Sequence, residues 1–226
     1  MILSAIKAVP STNIAIKFIA QEMNESTCKT VSYQQLLSQV EILSLWFVQH
    51  QVKSIVLIDD NSLAWVIVDL ACQSANICLT PMPTFFSLEQ QQHVLDEVQP
   101  DLIVSSSGYE ENAISGFPLT DINAYQMSKK ANTTKGKMPE GTNKITFTSG
   151  STGKPKGVCL SVNNQFKVAQ SLVEIVDLVQ PVHLSILPFS LLLENIAGVY
   201  APLMAGGTIV ISSEYDRGFN GCQLIN

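Results

Sequence analysis

The sequence predicts an α/β protein of mixed, largely parallel sheets covered by helices. Three observations carry that expectation. Short apolar runs alternate with amphipathic stretches of helical length, the pattern of strand–helix–strand units. Hydrophobic residues make up 46% of the 226 residues and charged ones only 14%, against a usual charged share of roughly a quarter, so much of the chain must be buried. The runs are closed by turn chemistry, as at Asp59-Asp60-Asn61 and at Pro81 and Pro83.

Taken in order, residues 13–23 read as a short helix. Ser32 and Gln35 form a capping-box pattern that opens an amphipathic helix to about Gln49. Ser54–Ile58 is a short apolar run and a buried strand. A helix over 62–74 follows, then a strand at 77–80. Ser87 and Gln90 repeat the capping pattern before a helix to Val98, and 101–105 is the next strand. Residues 106–143 are polar, rich in Ser, Gly, Asn and Lys, and lack periodicity, so they read as a long irregular connection. Order resumes with strands at 144–148 and 157–161, a helix at 162–179, a strand at 183–187, a helix at 192–204 and a strand at 208–211.

The composition also excludes classes. It is too apolar for a disordered, collagen-like or coiled-coil chain. Thirteen Lys+Arg against nineteen Asp+Glu leave a net charge of −6, which disfavours nucleic acid as a partner because such binding neutralises phosphates. Five cysteines form no C-x-x-C pair, and three scattered histidines do not join them into a metal site; reduced thiols in a cytoplasmic protein are expected. Lys7, Pro10, Asn13 and Lys17 interrupt the apolar N-terminus, so no leader peptide is expected. Residues 184–204 contain Pro188, Glu194, Asn195 and Pro202 and fall short of the roughly 20 apolar residues of a membrane span.

One passage, Thr146-Phe147-Thr148-Ser149-Gly150-Ser151-Thr152-Gly153-Lys154-Pro155-Lys156-Gly157, stands apart. Glycines let backbone N–H groups turn toward an anion, hydroxyls donate hydrogen bonds and lysines neutralise charge, which together suit a polyphosphate. It is not a Walker A loop: only two residues separate Gly150 from Gly153, and Pro155 follows Lys154. A helix cannot start across that proline in the Walker manner, so the loop is expected between two strands. Seven of the thirteen basic residues (Lys129, Lys130, Lys135, Lys137, Lys144, Lys154, Lys156) fall within twenty-eight positions, with Glu140 the only acid among them. That local excess would attract an anionic nucleotide; the plainer alternative is a solvated surface loop.

The passage resembles the phosphate-binding signature of the AMP-forming adenylate-forming enzymes: acyl-CoA synthetases, luciferases and adenylation domains of nonribosomal peptide synthetases. Thr30-Val31-Ser32-Tyr33, Asp60-Asn61-Ser62-Leu63-Ala64-Trp65 and the strand closed by Pro81 and Pro83 also resemble segments of that family. The resemblance implies two-step chemistry. A carboxylate attacks the α-phosphorus of ATP, giving acyl-adenylate and pyrophosphate, and a thiol of CoA or of phosphopantetheine then takes the acyl group. In that scheme Thr148, Ser149, Gly150, Ser151, Thr152 and Gly153 cradle the phosphates, Lys156 matches the signature's basic position, Lys154 has a weaker electrostatic role, and Mg²⁺ bridges phosphate oxygens.

Ser185-Ile186-Leu187-Pro188-Phe189-Ser190-Leu191-Leu192-Leu193-Glu194 is similar to the passage of fatty acyl-CoA synthetases that borders the acyl pocket, making Phe189, Leu191 and Glu194 candidates to line it. The family's histidine there falls on Leu191, a departure that puts the usual gate in question. Amino-acid-activating domains usually carry Phe-Asp in this segment, whereas Phe189 is followed by Ser190, which favours a plain carboxylic acid. Core packing explains Phe189 and the leucines equally well, and a carboxylate at Glu194 among apolar residues must be paired or protonated. His50, His93 and His183 read as surface or packed histidines, Cys159 as a small strand residue, and Asp59 and Asp60 as a strand-end turn.

The resemblance divides the chain into a first subdomain over 1–178, with the phosphate loop at 144–157, and the start of a second over 179–226. The family's later motifs and its C-terminal catalytic-lysine domain find no match, so the catalytic residue stays unassigned and the remaining half of the enzyme is an expected partner. The chain alone is then expected to fold and bind ATP weakly without catalysing adenylation. An amino-acid-activating domain feeding a carrier protein and a non-catalytic remnant stay open as alternatives.

Overall fold

A computed structural model describes residues 1–22, 25–106, 114–126, 138–148 and 154–212, the side chains of 20–22, 25–27 and 126 excepted. A six-stranded sheet runs in the order β6-β5-β3-β4-β7-β8, from β3 (Ser54–Ile58), β4 (Cys78–Pro81), β5 (Leu102–Ser105), β6 (Asn123–Gln126), β7 (Lys144–Thr148) and β8 (Lys156–Leu160). Its four inner strands are parallel, and β6 and β8 close the edges antiparallel. The inner strands are apolar on both faces because both are covered. Ile55 and Leu57 pack with α2 (Tyr33–Gln49) and α3 (Leu63–Ser74), whereas Val56 and Ile58 pack with Val94, Leu95 and Val98 of α4 (Leu88–Val98).

Local chemistry starts these helices where the sequence predicts. Ser32 with Gln35 and Ser87 with Gln90 each form a reciprocal capping box, and the Ser62 hydroxyl caps α3 through the Trp65 amide. Each such cap contributes about 1 kcal/mol.

A second, four-stranded sheet draws on both ends of the described chain, in the order β2-β1-β10-β9, from β1 (Ile14–Glu22), β2 (Glu25–Ser32), β9 (Val182–Leu184) and β10 (Thr208–Ser212). Here residues 13–23 depart from expectation: they form a strand, not a helix. Pairing satisfies both edges, parallel to β10 with Ile16 opposite Ile209, and antiparallel to β2. The β-branched Ile14, Ile16 and Ile19 suit an extended chain, and this long-range pairing overrides local propensity. Tyr33 ties the sheet to the helices, its hydroxyl donating to the carbonyls of Gly207 at 2.7 Å and Leu203 at 3.1 Å.

Three further expectations are corrected. The polar connection over 106–143 contains a strand, β6, which pairs with β5 and buries Ala124 and Tyr125. The helix after β8, α5 (Val162–Ile175), stops four residues early because Asp177 takes a left-handed φ of 49°. The helix over 192–204 is three pieces: a single turn α6 (Leu192–Glu194), a π-helical turn Asn195–Tyr200 and α7 (Ala201–Met204).

Candidate functional site

Strands β7 and β8, which flank the glycine-rich sequence, form an antiparallel hairpin. Thr148 lies opposite Lys156 at its open end and Lys144 opposite Leu160 at its base. Residues 149–155 therefore connect two strands, as the Lys154-Pro155 pair requires. Ser149, Gly150, Ser151, Thr152 and Gly153 lie outside the described residues. Thr148, Lys154 and Lys156 are exposed at the mouth of the hairpin. Below them Gly157 packs so tightly that a Cβ would lie 3.0 Å from Ile145 Cγ2 and 3.2 Å from Phe147 Cζ.

The far end of the loop is held by α4. His93 Nε2 donates to the carbonyl of Pro155 at 3.0 Å, so the helix opened by the Ser87 cap anchors the loop's exit. A cavity of about 430 Å³ lies between this helix and the hairpin, lined by His93, Glu97, Phe147, Lys154, Lys156 and Cys159 among others. Two lysines and a threonine hydroxyl flanking a glycine-rich sequence suit an anion with several oxygens, so the residues present fit a nucleotide's phosphates with Mg²⁺ held on the phosphate oxygens.

Lys144 does not belong with these cations. Its ammonium is 1% exposed and directed into the core, 2.7 Å from Asp69 Oδ1, 2.5 Å from Asn195 Oδ1 and 2.6 Å from the Tyr200 hydroxyl. Asp69 Oδ2 in turn accepts from the Tyr200 hydroxyl at 2.6 Å and from Asn195 Nδ2 at 3.1 Å. Burial pushes the Lys144 ammonium below the ordinary lysine range, with the Asp69 carboxylate opposing that shift. Burial also raises the Tyr200 phenol, and the neighbouring carboxylate raises it further. Lys144 therefore drops out of the basic cluster, and Lys129, Lys130, Lys135 and Lys137 lie outside the described residues. Asp69 within the apolar run Leu63–Ser74, and Lys144 heading a buried strand, are two lone opposite charges; that is the signal by which the pair could be found.

The acid-pocket candidates separate. Phe189 is in the core, its ring 5.3 Å from that of Trp65. Leu191 is half-buried just ahead of α6. Glu194 is 5% exposed and paired, accepting from Ser185 Oγ at 2.9 Å and His183 Nε2 at 2.9 Å. Asn61, which the sequence places in a strand-end turn and a family-like segment without a site role, fastens this segment: its amide donates to Ser185 Oγ and the Leu187 carbonyl and accepts from the Phe189 N–H at 2.6 Å. An apolar groove of about 350 Å³ opens beside these residues, lined by Leu160, Val168, Leu172, Leu192, Leu193 and Ile196 with two amides.

Asp59 and Asp60 sit just after β3 and hold the strand-end turns. Asp59 accepts from Ser62 and Ser106, Asp60 from Thr84. Burial holds the Asp59 carboxyl above its usual range. Among the described residues no helix is long and apolar enough to cross a membrane.

Two helix-covered sheets, the larger closed at one edge by the antiparallel β7–β8 pair, have the fold of the N-terminal large domain of adenylate-forming enzymes. The chain belongs to the AMP-binding enzyme family, which it matches over residues 9–225. Among curated proteins it is similar to the D-alanine–D-alanyl carrier protein ligase of Listeria welshimeri, 26% identical over 192 residues, covering 80% of this chain and 38% of that protein. It is also similar to a mycosubtilin synthase polypeptide of Bacillus subtilis, 25% identical over 197 residues, covering 83% of this chain and 7% of that one. Among solved structures, O-succinylbenzoate coenzyme A synthetase of Bacillus subtilis in complex with AMP aligns with a TM-score of 0.69 at 18% identity, over 93% of this chain and 55% of that one. Fatty acid AMP ligase of Legionella pneumophila aligns with a TM-score of 0.71 at 15% identity, over 94% and 40%. The chain thus spans little more than half, or less, of the length of these relatives.

Proposed function

We propose that this chain carries the nucleotide-phosphate site and part of the acid site of an ATP-dependent acid–thiol ligase. The observation that carries the reading is the β7–β8 hairpin, with Thr148, Lys154 and Lys156 exposed at its mouth on either side of a glycine-rich sequence. In this reading a carboxylate oxygen attacks the α-phosphorus of ATP and pyrophosphate leaves. A thiol of CoA or of a carrier's phosphopantetheine then attacks the acyl carbonyl, and AMP leaves. The backbone N–H groups and hydroxyls of Thr148 to Gly153 hold the β- and γ-phosphates, and Lys156, with Lys154 in support, offsets charge as pyrophosphate departs. Magnesium, when bound on the phosphate oxygens, draws charge away from the reacting phosphorus.

The acid is a plain carboxylic acid with an apolar chain. Two carboxylates beside the acid segment are engaged: Asp69 with Lys144, Tyr200 and Asn195, and Glu194 with His183 and Ser185. Neither is left to pair with the ammonium of an amino acid, and the groove beside Leu192, Leu193 and Ile196 suits an apolar acyl group. An amino acid loaded onto a carrier protein is the second reading, favoured by the names of the curated relatives. Among the described residues Cys28, Cys72, Cys78 and Cys159 form no disulfide, which accords with a reducing, cytoplasmic setting.

Titration with a fluorescent ATP analogue and Mg²⁺ tests the phosphate site: saturable binding displaced by ATP is expected, and none up to about millimolar nucleotide, near −4 kcal/mol, refutes it. Pyrophosphate exchange by the longest native form, against fatty, aryl and amino acids, separates the two readings of the acid.

A further inference from the structure

We propose that Glu194 and Asn195 form a two-pronged clasp that registers the acid segment against the phosphate-loop strand, with Asn195 and Lys144 as positioning residues for nucleotide binding. The inference rests on the phosphate-site reading above. Two consecutive side chains leave the backbone toward different sheets. The Glu194 carboxylate takes Ser185 Oγ and His183 Nε2, and His183 belongs to β9 of the four-stranded sheet. The Asn195 amide turns the other way: Oδ1 accepts from Lys144 Nζ of β7 at 2.5 Å, and Nδ2 donates to Asp69 of α3 at 3.1 Å. Both side chains are nearly or fully buried, so each is held by its partners rather than by water.

The geometry around the clasp is specialised. Asn195 opens a π-helical turn, a form that appears mostly as single turns and frequently at functional sites. Within it Gly198 leaves room for the first prong, since a Cβ there would lie 2.5 Å from Glu194 Oε1 and 2.6 Å from His183 Nε2. Tyr200, the last residue of the turn, returns to the same lysine and aspartate as Asn195.

Lys144 is the first residue of β7 and Thr148, at the mouth of the loop, is the last. Four residues of strand span about 13 Å and are held between β4 and β8, so a shift at the base of β7 is carried to the loop. A buried ion pair alone would not call for this arrangement, because apolar residues of similar volume often stabilise as well. The directional bonds from one amide to both members of the pair fix register.

The test measures fluorescent ATP-analogue affinity and amide hydrogen exchange for Asn195→Ala and for the double variant Lys144→Met/Asp69→Asn, which removes both charges together. We expect each folded variant to bind nucleotide about fivefold or more weaker, the lower range of site-to-site coupling. Exchange should rise together in 144–148 and 182–184, on the two sheets. In pyrophosphate exchange by the longest native form, KM for ATP should rise while kcat holds, whereas general loss of structure lowers kcat. Wild-type affinity in both variants, with exchange raised only within 192–204, overturns the clasp. If Asn195→Ala does not fold, the double variant decides by the same criteria. If the wild-type chain binds no nucleotide, the phosphate-site reading falls, and the exchange pattern alone upholds or overturns the clasp.

Discussion

Replacing Lys144 by methionine keeps most of the side-chain volume and deletes the charge. Its partner Asp69 is fully buried, and in the variant its carboxylate keeps only the Tyr200 hydroxyl and the Asn195 amide. Removing one member of a buried ion pair leaves an uncompensated charge and costs about 3–5 kcal/mol. Against a total stability of about 5–15 kcal/mol that is a large share. For a domain of this size it lowers Tm by about 6–20 °C. Adding Asp69→Asn should recover most of the loss, because the amide introduced at position 69 can accept from Tyr200 and donate to Asn195 Oδ1. Urea unfolding followed by tryptophan fluorescence measures both variants, and Trp65 is a suitable reporter, with Lys144 Nζ 6.0 Å from its ring centre. A single variant within about 1 kcal/mol of wild type, the range of an exposed pair, or a double variant less stable than the single, refutes the reasoning.

Gly198→Ala forces a methyl against Glu194 and His183 and should cost about 1–3 kcal/mol, read as a lowered urea midpoint; an unchanged midpoint would mean the turn relaxes freely. The chain should lose stability at alkaline pH. Burial keeps Cys72, Tyr33 and Tyr200 protonated beyond the ordinary 9.0, 10.0 and 10.0, so the unfolded chain releases protons that the folded chain keeps, and stability present at neutral pH falls as pH rises past these values. Lys144, lowered from 10.5, acts in the opposite sense; a urea midpoint that rises from about pH 8 to about pH 11 would contradict the expected loss. Lys156→Ala should leave the unfolding midpoint within about 0.5 kcal/mol of wild type, as for most exposed positions. It should also weaken nucleotide binding severalfold and reduce its salt dependence, measured by titration at two ionic strengths.

What was legible in the sequence was local. The capping boxes at Ser32 and Ser87 and the apolar run Ser54–Ile58 are written within a few residues, and their elements stand where they were expected. So does the hairpin around the phosphate loop, since Pro155 forbids a helix start and β7 and β8 are neighbours along the chain. What was misread depended on distant partners. Residues 14–22 contain good helix formers such as Ala15 and Lys17, and pairing with β2 on one edge and with β10, about 190 positions on, on the other makes them a strand. β6 hides in polar text because, as an edge strand, it buries only Ala124 and Tyr125 of its described side chains.

Lys144 shows most sharply why part of the site escaped. Counted among neighbours in sequence it looks like one more surface cation, while its partners sit 75, 51 and 56 positions away. A charge is read correctly from a sequence only where water is its partner, because water needs no address. Once a charge is buried, its compensation must come from wherever the fold brings an opposite group, and here that is an aspartate in an otherwise apolar helix and an asparagine on a π-helical turn. The two lysines at the loop's exit and the lysine at the base of its strand therefore do opposite work. Lys154 and Lys156 are exposed, where the proposed anion can reach them, whereas Lys144 has its charge cancelled within the core. Neutralising the first two should leave the fold intact and weaken the ligand; neutralising the third alone should first unsettle the fold.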